Sequence, residues 1–302
     1  MMNPSFIPGP YIGGYHCYTA SIVMIVCYYS FYMASFTDPG VIPDKQAAKV
    51  AKKRYPFDEV MYKRDNDCKT CGFEKPARSK HCAVCNVCVE KFDHHCIWIN
   101  NCVGRKNYRY FLTFLGLHCI ICLYGAVVGL LIFLGEKDRK DAAGLVFVNT
   151  VTGERAAPTL WTHVKFFFLN EERHLGVVVS ICAIITPVLC GFFGYHLRLA
   201  WNNETTNESY KREAVRAGIQ FQLDTLGTMT KKIEDWEPEK KGDQLPPLRV
   251  DGEEMPRSKQ GRLKRYKEFE TTFIKRREKI GPKTLYQPHP SLKQALLSIW
   301  DE

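Results

Sequence analysis

The chain has 302 residues, a net charge of +10, 25% charged residues and a slightly negative mean hydropathy, averages that suit one large soluble domain or two ordinary ones. Those averages mislead: charge is missing from three long windows and crowded everywhere else, so the chain has to be read in blocks. The positive excess needs no nucleic acid to explain it, since it suits a body lying against anionic lipid and holding an anionic ligand.

In chain order, residues 1–15 contain no Lys or Arg and so lack the positive n-region of a cleavable signal peptide. Residues 16–36 ("HCYTASIVMIVCYYSFYMASF") carry no Lys, Arg, Asp or Glu and are long enough to cross a bilayer, which takes about 20 apolar residues. The linker 37–66 opens with "TDPG", whose Pro39 and Gly40 end a helix; its "KQAAKVAKKRY" run reads either as an interfacial helix or as a solvated linker. Residues 67–110 show little helical or strand periodicity, so something other than an apolar core must cross-link them.

A second uncharged window fills 111–134, and a third, Leu175 to Leu197, lies within a helix predicted over 175–199. Buried core helices of a soluble enzyme are the competing reading. Length and the Tyr and Trp residues near several ends favour membrane spans. The loop 135–174 includes "LWTHVKFFFL", expected to dip against the bilayer, and the tail 200–302, of mixed charge, is expected to be largely loose with a final apolar "LKQALLSIW".

Charge orients these spans. Fifteen Lys and Arg lie between Thr37 and Tyr110 and twenty after Ala200, against six in the loop 135–174, where six acidic residues balance them. The positive-inside rule then places the Cys-rich segment and the tail in the cytosol, with residues 1–15 and the central loop on the lumenal side.

Thirteen cysteines would suggest disulfides in a secreted chain, but seven of them lie between Cys68 and Cys102, in the block assigned to the reducing cytosol. Metal binding or thiolate chemistry is the better reading. Those seven, with His81, His94 and His95, are ten candidate ligands, and two tetrahedral zinc ions would use eight. A spare Cys beside a spare His and an Asp reads as nucleophile, base and orienting carboxylate; the alternative is a purely structural zinc module. Spacing alone does not say which residues are spare.

The run "CKTCGFEKPARSKHCAVCNVCVEKFDHHCIWINNCVGRKNYRYF" resembles, without a gap, the Cys-rich domain of the DHHC family of protein S-acyltransferases. "DPG" (Asp38 to Gly40) after a span and "TTNE" (Thr205 to Glu208) after the last one match the same family, and the motif flanks look most like a eukaryotic branch that includes plant members and relatives of the endoplasmic reticulum and Golgi. The resemblance implies an α-helical integral membrane protein with a cytosolic zinc domain of little regular structure. It assigns one zinc to Cys68, Cys71, His81 and Cys88, and a second to Cys82, Cys85, His95 and Cys102. Asp93, His94 and Cys96 are then the reactive residues, in a ping-pong transfer of a palmitoyl group from acyl-CoA, the co-substrate, to cysteines of cytosolic-face proteins.

Trp98 is expected near the thioester or in plain structural packing. Lys75 and Arg78 are candidates for the CoA phosphates or are simply solvated, and Thr205 and Thr206 stand near the catalytic centre or cap a helix. Two departures stand out. Ile97 replaces the Pro that usually follows the motif Cys, and the chain begins just before what resembles the family's second span, which leaves the depth of an acyl cavity, and the chain length it prefers, open. A membrane-anchored zinc recruitment module would have no use for a reactive thiol, and an ion pathway would use intramembrane charges that these spans lack. The sequence names no accessory subunit.

Overall fold

The computed structural model describes residues 7–142, 144, 147–148, 152–156, 159–169, 173–237, 244–245, 247–250, 253–280 and 291–301. The first six residues of the expected lumenal segment, and stretches of the expected loop and tail, lie outside the described residues. The elements run α1 (His16–Phe36), β1 (Val41–Ile42), α2 (Lys45–Lys52), β2 (Asp67–Cys68), β3 (Phe73–Glu74), β4 (Lys80–Cys82), β5 (Val87–Val89), β6 (His94–Cys96), β7 (Asn101–Val103) and α3 (Tyr108–Ala142). There follow β8 (Phe147–Val148), β9 (Arg155–Ala156), α4 (Leu160–Leu169), α5 (Arg173–Trp201), α6 (Thr206–Glu234), β10 (Arg249–Val250), β11 (Glu253–Glu254), α7 (Lys259–Ile280) and α8 (Leu292–Asp301). The chain divides into two units: Met1–Pro39 with Cys96–Arg198, and Gly40–His95 with Leu199–Asp301.

In the first unit α1, α3 and α5 are long and apolar enough to cross a membrane, where a helix satisfies every backbone group internally. α3 outruns its expected bounds at both ends. Its 35 residues span about 52 Å at 1.5 Å each, more than the roughly 30 Å hydrocarbon layer. The surplus last turns carry the charges, with Lys137 paired to Asp141 at 3.0 Å and Arg139 to Glu136 at 2.6 Å. Lipid tails give helices no hydrophobic reason to associate, so small residues set their approach: a Cβ added at Gly129 of α3 would collide with the Val179 side chain of α5. The spans are uncharged but not wholly apolar, since Tyr124 of α3 bonds His16 Nδ1 at 2.8 Å and Thr19 Oγ1 at 2.9 Å on α1.

The second unit holds most of the Cys-rich segment, where strands are two or three residues long. β1, β5 and β4 form an antiparallel sheet with Ile42 opposite Cys88 and Cys88 opposite His81. β2 and β3 form a hairpin. The basic run expected as interfacial helix or linker is the helix α2, capped by the Asp44 carboxylate accepting from Ala47 N at 2.7 Å. It buries Ala48 and Ala51 against Ile42, Cys68, Phe73 and Cys88, so its apolar side is covered by protein. Gly40 of the DPG motif takes φ 100°, a backbone conformation that favours glycine.

The tail departs from expectation. α6 and α7 pack through Ile219, Leu226 and Ile233 from one and Tyr266, Phe273 and Ile280 from the other, two series each spaced by seven residues, the period of a coiled-coil seam. Phe273→Ala should therefore cost about 3–5 kcal/mol locally, read as much faster cleavage of the α6–α7 segment in limited proteolysis; wild-type resistance would place that seam elsewhere.

Candidate functional site

Two Cys/His clusters capable of taking metal lie among the described residues. In the first, Cys68, Cys71, His81 and Cys88 bring their ligand atoms within 4.8 Å of one another. His81 Nδ1 stands 3.5, 3.4 and 3.8 Å from the sulfurs of Cys68, Cys71 and Cys88. A tetrahedral zinc with Zn–S near 2.3 Å and Zn–N near 2.0–2.1 Å separates its sulfur and nitrogen ligands by about 3.6 Å, so the donor set fits the ion. Electrostatics agree: burial raises Cys68, yet the Cys71 and Thr70 amides and neighbouring thiols outweigh it and hold the thiol below its usual range. Burial, then the neighbouring sulfurs, pushes Cys88 up. Sulfurs this close ionise together only around a cation.

The second cluster repeats the pattern, with Cys82 and Cys85 Sγ at 3.7 and 3.4 Å from His95 Nδ1. In both CxxC turns the second Cys amide points at the first sulfur, Cys71 N to Cys68 at 3.4 Å and Cys85 N to Cys82 at 3.5 Å. Strand alternation explains how neighbours serve different clusters: His81 and Cys82 are successive residues of β4, and successive side chains leave a strand on opposite faces. Cys102, the fourth residue of the expected second set, belongs to the first unit. It is fully buried on β7, its carbonyl held by Asn107 Nδ2 at 2.8 Å.

Asp93 is 2% exposed and is held at both carboxylate oxygens. His94 Nδ1 donates to its Oδ2 at 2.6 Å, the Thr206 amide to Oδ1 at 2.7 Å and the Thr206 hydroxyl to Oδ2 at 2.9 Å. Thr206 is the first residue of α6, where unpaired N–H groups and the positive end of the helix dipole favour a carboxylate. With its Nδ1 hydrogen given to an acceptor-only group, His94 keeps its lone pair on Nε2. Thr205 and Glu208 form a reciprocal capping box, Glu208 N to Thr205 Oγ1 at 3.1 Å and Thr205 N to Glu208 Oε2 at 2.9 Å, so the cap and the carboxylate contact coexist at adjacent threonines.

Arg78 is not a solvated cation. It is 1% exposed, bonded through Nε and Nη2 to the two Glu208 oxygens at 2.6 and 2.7 Å and through Nη2 to the Asn203 carbonyl at 2.9 Å. Tyr62 adds a bond to Glu208 at 3.1 Å. A guanidinium so committed has little left for a phosphate. Lys75 fares differently: it lines a cavity of about 420 Å³ together with Lys63, Lys80 and Lys211, three cations that sequence reasoning missed, Lys211 because it comes from α6 and Lys63 and Lys80 because nothing in the sequence sets them apart from their basic neighbours. Burial pushes the Lys211 ammonium down, and its Nζ sits 4.1 Å from the centre of the Tyr62 ring.

Cys96 ends β6 and belongs to neither metal cluster among the described residues. It is 7% exposed and belongs, in the first unit, to an apolar cluster with Ala34, Ile99, Val103, Phe111 and Leu115, against which Leu189 and Phe193 pack, so that cluster draws on α1, α3 and α5. Trp98 is 81% exposed and Ile97 is exposed beside it; the expected packing of this indole on the protein is not what the structure has, because Cys96 and Ile99 take the inward positions.

Residues 61–213 match the DHHC palmitoyltransferase family. Among relatives, the chain is 39% identical over 188 residues to Palmitoyltransferase swf1 of Schizosaccharomyces pombe, covering 62% of this chain and 48% of that protein. It is 35% identical over 197 residues to Palmitoyltransferase ZDHHC4 of Bos taurus, covering 65% and 57%, and 37% identical over 207 residues to Palmitoyltransferase SWF1 of Neurospora crassa, covering 67% and 48%. The chain spans about half the length of the curated relatives it matches. They are fungal and mammalian, and they single out no plant or endoplasmic reticulum and Golgi branch. With the family match running from the linker before the first CxxC turn into α6, and with paired Cys/His clusters, a buried Asp93 bonded to His94 and a cysteine outside both clusters inside it, the chain belongs to the DHHC palmitoyltransferase family.

Proposed function

We propose that the protein is a protein S-acyltransferase that carries a long-chain acyl group, palmitoyl above all, on Cys96. His94 removes the Cys96 proton, the thiolate attacks the thioester carbonyl of acyl-CoA, a carbon–sulfur bond to Cys96 forms as that to CoA breaks, and the CoA thiolate takes up the proton. A substrate cysteine thiolate then attacks the acyl-enzyme and Cys96 leaves as the thiolate. Thioester is exchanged for thioester, so no energy source enters. The observation that carries this reading is the placement of Cys96: outside both clusters, two residues after the Asp93-held His94 on one strand, where alternation gives His94 and Cys96 one face and His95 the other.

Asp93 fixes the tautomer and orientation of His94, and Thr206 fixes Asp93. Cys68, Cys71, His81 and Cys88 would hold one zinc; Cys82, Cys85 and His95, with Cys102 as fourth ligand, would hold the other. When bound, each ion supplies a cross-link between short strands and no reacting group. Lys75, in a cavity with three further lysines, suits the CoA phosphates; Arg78 does not. Trp98, exposed beside the reactive cysteine, suits the lipid boundary where the acyl donor arrives. Charge asymmetry supports a cytosolic site on a multi-pass protein that acts on cytosolic-face proteins; the endoplasmic reticulum or Golgi as its membrane is what the resemblance of the motif flanks implies.

Purified chain incubated with palmitoyl-CoA should gain the mass of one palmitoyl group, removable by hydroxylamine. Cys96→Ser should gain none while binding zinc as the wild type does. Undiminished acylation of that variant would move the nucleophile elsewhere.

A further inference from the structure

We infer that Asn101 is a positioning residue for the Cys96 thiol, acting by closing the open end of α1; this rests on the acyl-enzyme reading and adds a residue to it. The last carbonyls of a helix find no partner within it. At the end of α1 three of them, from Ala34, Ser35 and Thr37, face one donor, the side-chain amide of Asn101, at 3.4, 3.0 and 3.0 Å. Ala34 is fully buried and packs in the same apolar cluster as Cys96, with Phe111 and Leu115. The turn that Asn101 closes is thus a wall beside the nucleophile.

Asn101 opens β7 five residues after Cys96, so one short stretch of chain carries both the sulfur and the tie that sets its neighbour. Residue type follows from the acceptors. An amide brings two N–H donors and no charge, whereas a carboxylate would set negative charge against carbonyls at the negative end of the helix dipole, and an alkyl group would leave them bare. A second tie joins the same segments, Lys106 N to the Pro39 carbonyl at 3.3 Å and Lys106 Nζ to Asp38 at 2.7 Å. That ion pair is about half exposed, 46% and 47%, and such pairs hold geometry weakly. The buried register falls to Asn101.

Asn101 also precedes Cys102, so loss of position must be told apart from loss of metal. Rapid-mixing measurement of CoA release from palmitoyl-CoA by the full chain separates them, because the burst rate constant reports the geometry of the competent molecules and the burst amplitude reports their number. Asn101→Asp should lower the rate constant roughly ten- to a hundredfold, the scale of a misplacement near 1 Å, with zinc per chain unchanged. A merely structural residue would lower amplitude and zinc together and leave the rate constant at the wild-type value, and that result overturns the inference. If Asn101→Asp does not fold, Asn101→Ser, which keeps one hydroxyl donor, is read the same way: a slowed burst supports the tie and a wild-type rate constant rejects it. A wild-type chain with no burst at all would fail the acyl-enzyme reading itself and take this inference with it.

Discussion

His94→Ala and His95→Ala, one residue apart, should give opposite phenotypes. His94→Ala should bind zinc like the wild type and form the Cys96 thioester about 10²–10⁴-fold more slowly, the usual contribution of a positioned general base. His95→Ala should lose the zinc held with Cys82 and Cys85, and with it the folded loop, because three ligands cannot close a structural tetrahedron. Metal analysis of the purified variants, paired with single-turnover acylation, reads both. Wild-type zinc in His95→Ala would mean that His95 is no ligand; equal rates in His94→Ala and wild type would mean that His94 is no base. The contrast arises from a two-residue period: Asp93 receives His94 on one side of β6 while His95 faces Cys82 and Cys85 on the other.

That alternation also marks what a reader of the sequence can and cannot see. The spans are legible because bilayer thickness imposes a run length and the absence of charge is a local property. The donors of the metal clusters are legible as chemical types at short spacing, since a CxxC turn delivers two sulfurs whatever surrounds it. Their division between clusters is not, and came from resemblance; the structure supplies the reason in the opposite faces taken by His81 and Cys82. Partners far apart in sequence were invisible. Thr206 reaches Asp93 across 113 residues and Glu208 reaches Arg78 across 130, and no local pattern announces either. Arg78 therefore looks like a surface cation in the sequence and is a buried one in the fold.

The order of the tail is hard to see in the sequence for a different reason. α6 and α7 are polar on average, which suggests a loose segment, but a heptad seam needs only two apolar residues in seven. Ile219, Leu226 and Ile233, and Tyr266, Phe273 and Ile280, were there to be counted at that spacing. The same helix that makes the seam presents its first turn to Asp93 and contributes Lys211 to the lysine cavity. The ordered tail therefore contributes directly to the Asp93–His94 pair.

The Glu208–Arg78 pair should be the costliest single polar break in the second unit. Glu208 is 2% exposed and meets two Arg78 nitrogens, the Tyr62 hydroxyl and the Thr205 amide. Glu208→Gln keeps the shape and removes the carboxylate charge that faces the buried Arg78 guanidinium; breaking a buried pair from one side costs about 3–5 kcal/mol, a large part of the 5–15 kcal/mol that holds a domain together. Thermal unfolding in detergent should show a marked fall in midpoint, and acylation should slow because the loosened first turn of α6 no longer holds Thr206 against Asp93. The double variant Arg78→Gln with Glu208→Gln should recover much of the lost stability, since no unpaired charge remains, whereas two independent defects would add. Arg78→Gln alone also separates the two roles open to this residue. A structural partner of Glu208 loses stability with little change in the KM for acyl-CoA, while a phosphate ligand would raise KM and leave the midpoint alone. The bonds to Glu208 and Asn203 require the first outcome, and a variant of full stability with a raised KM would refute it.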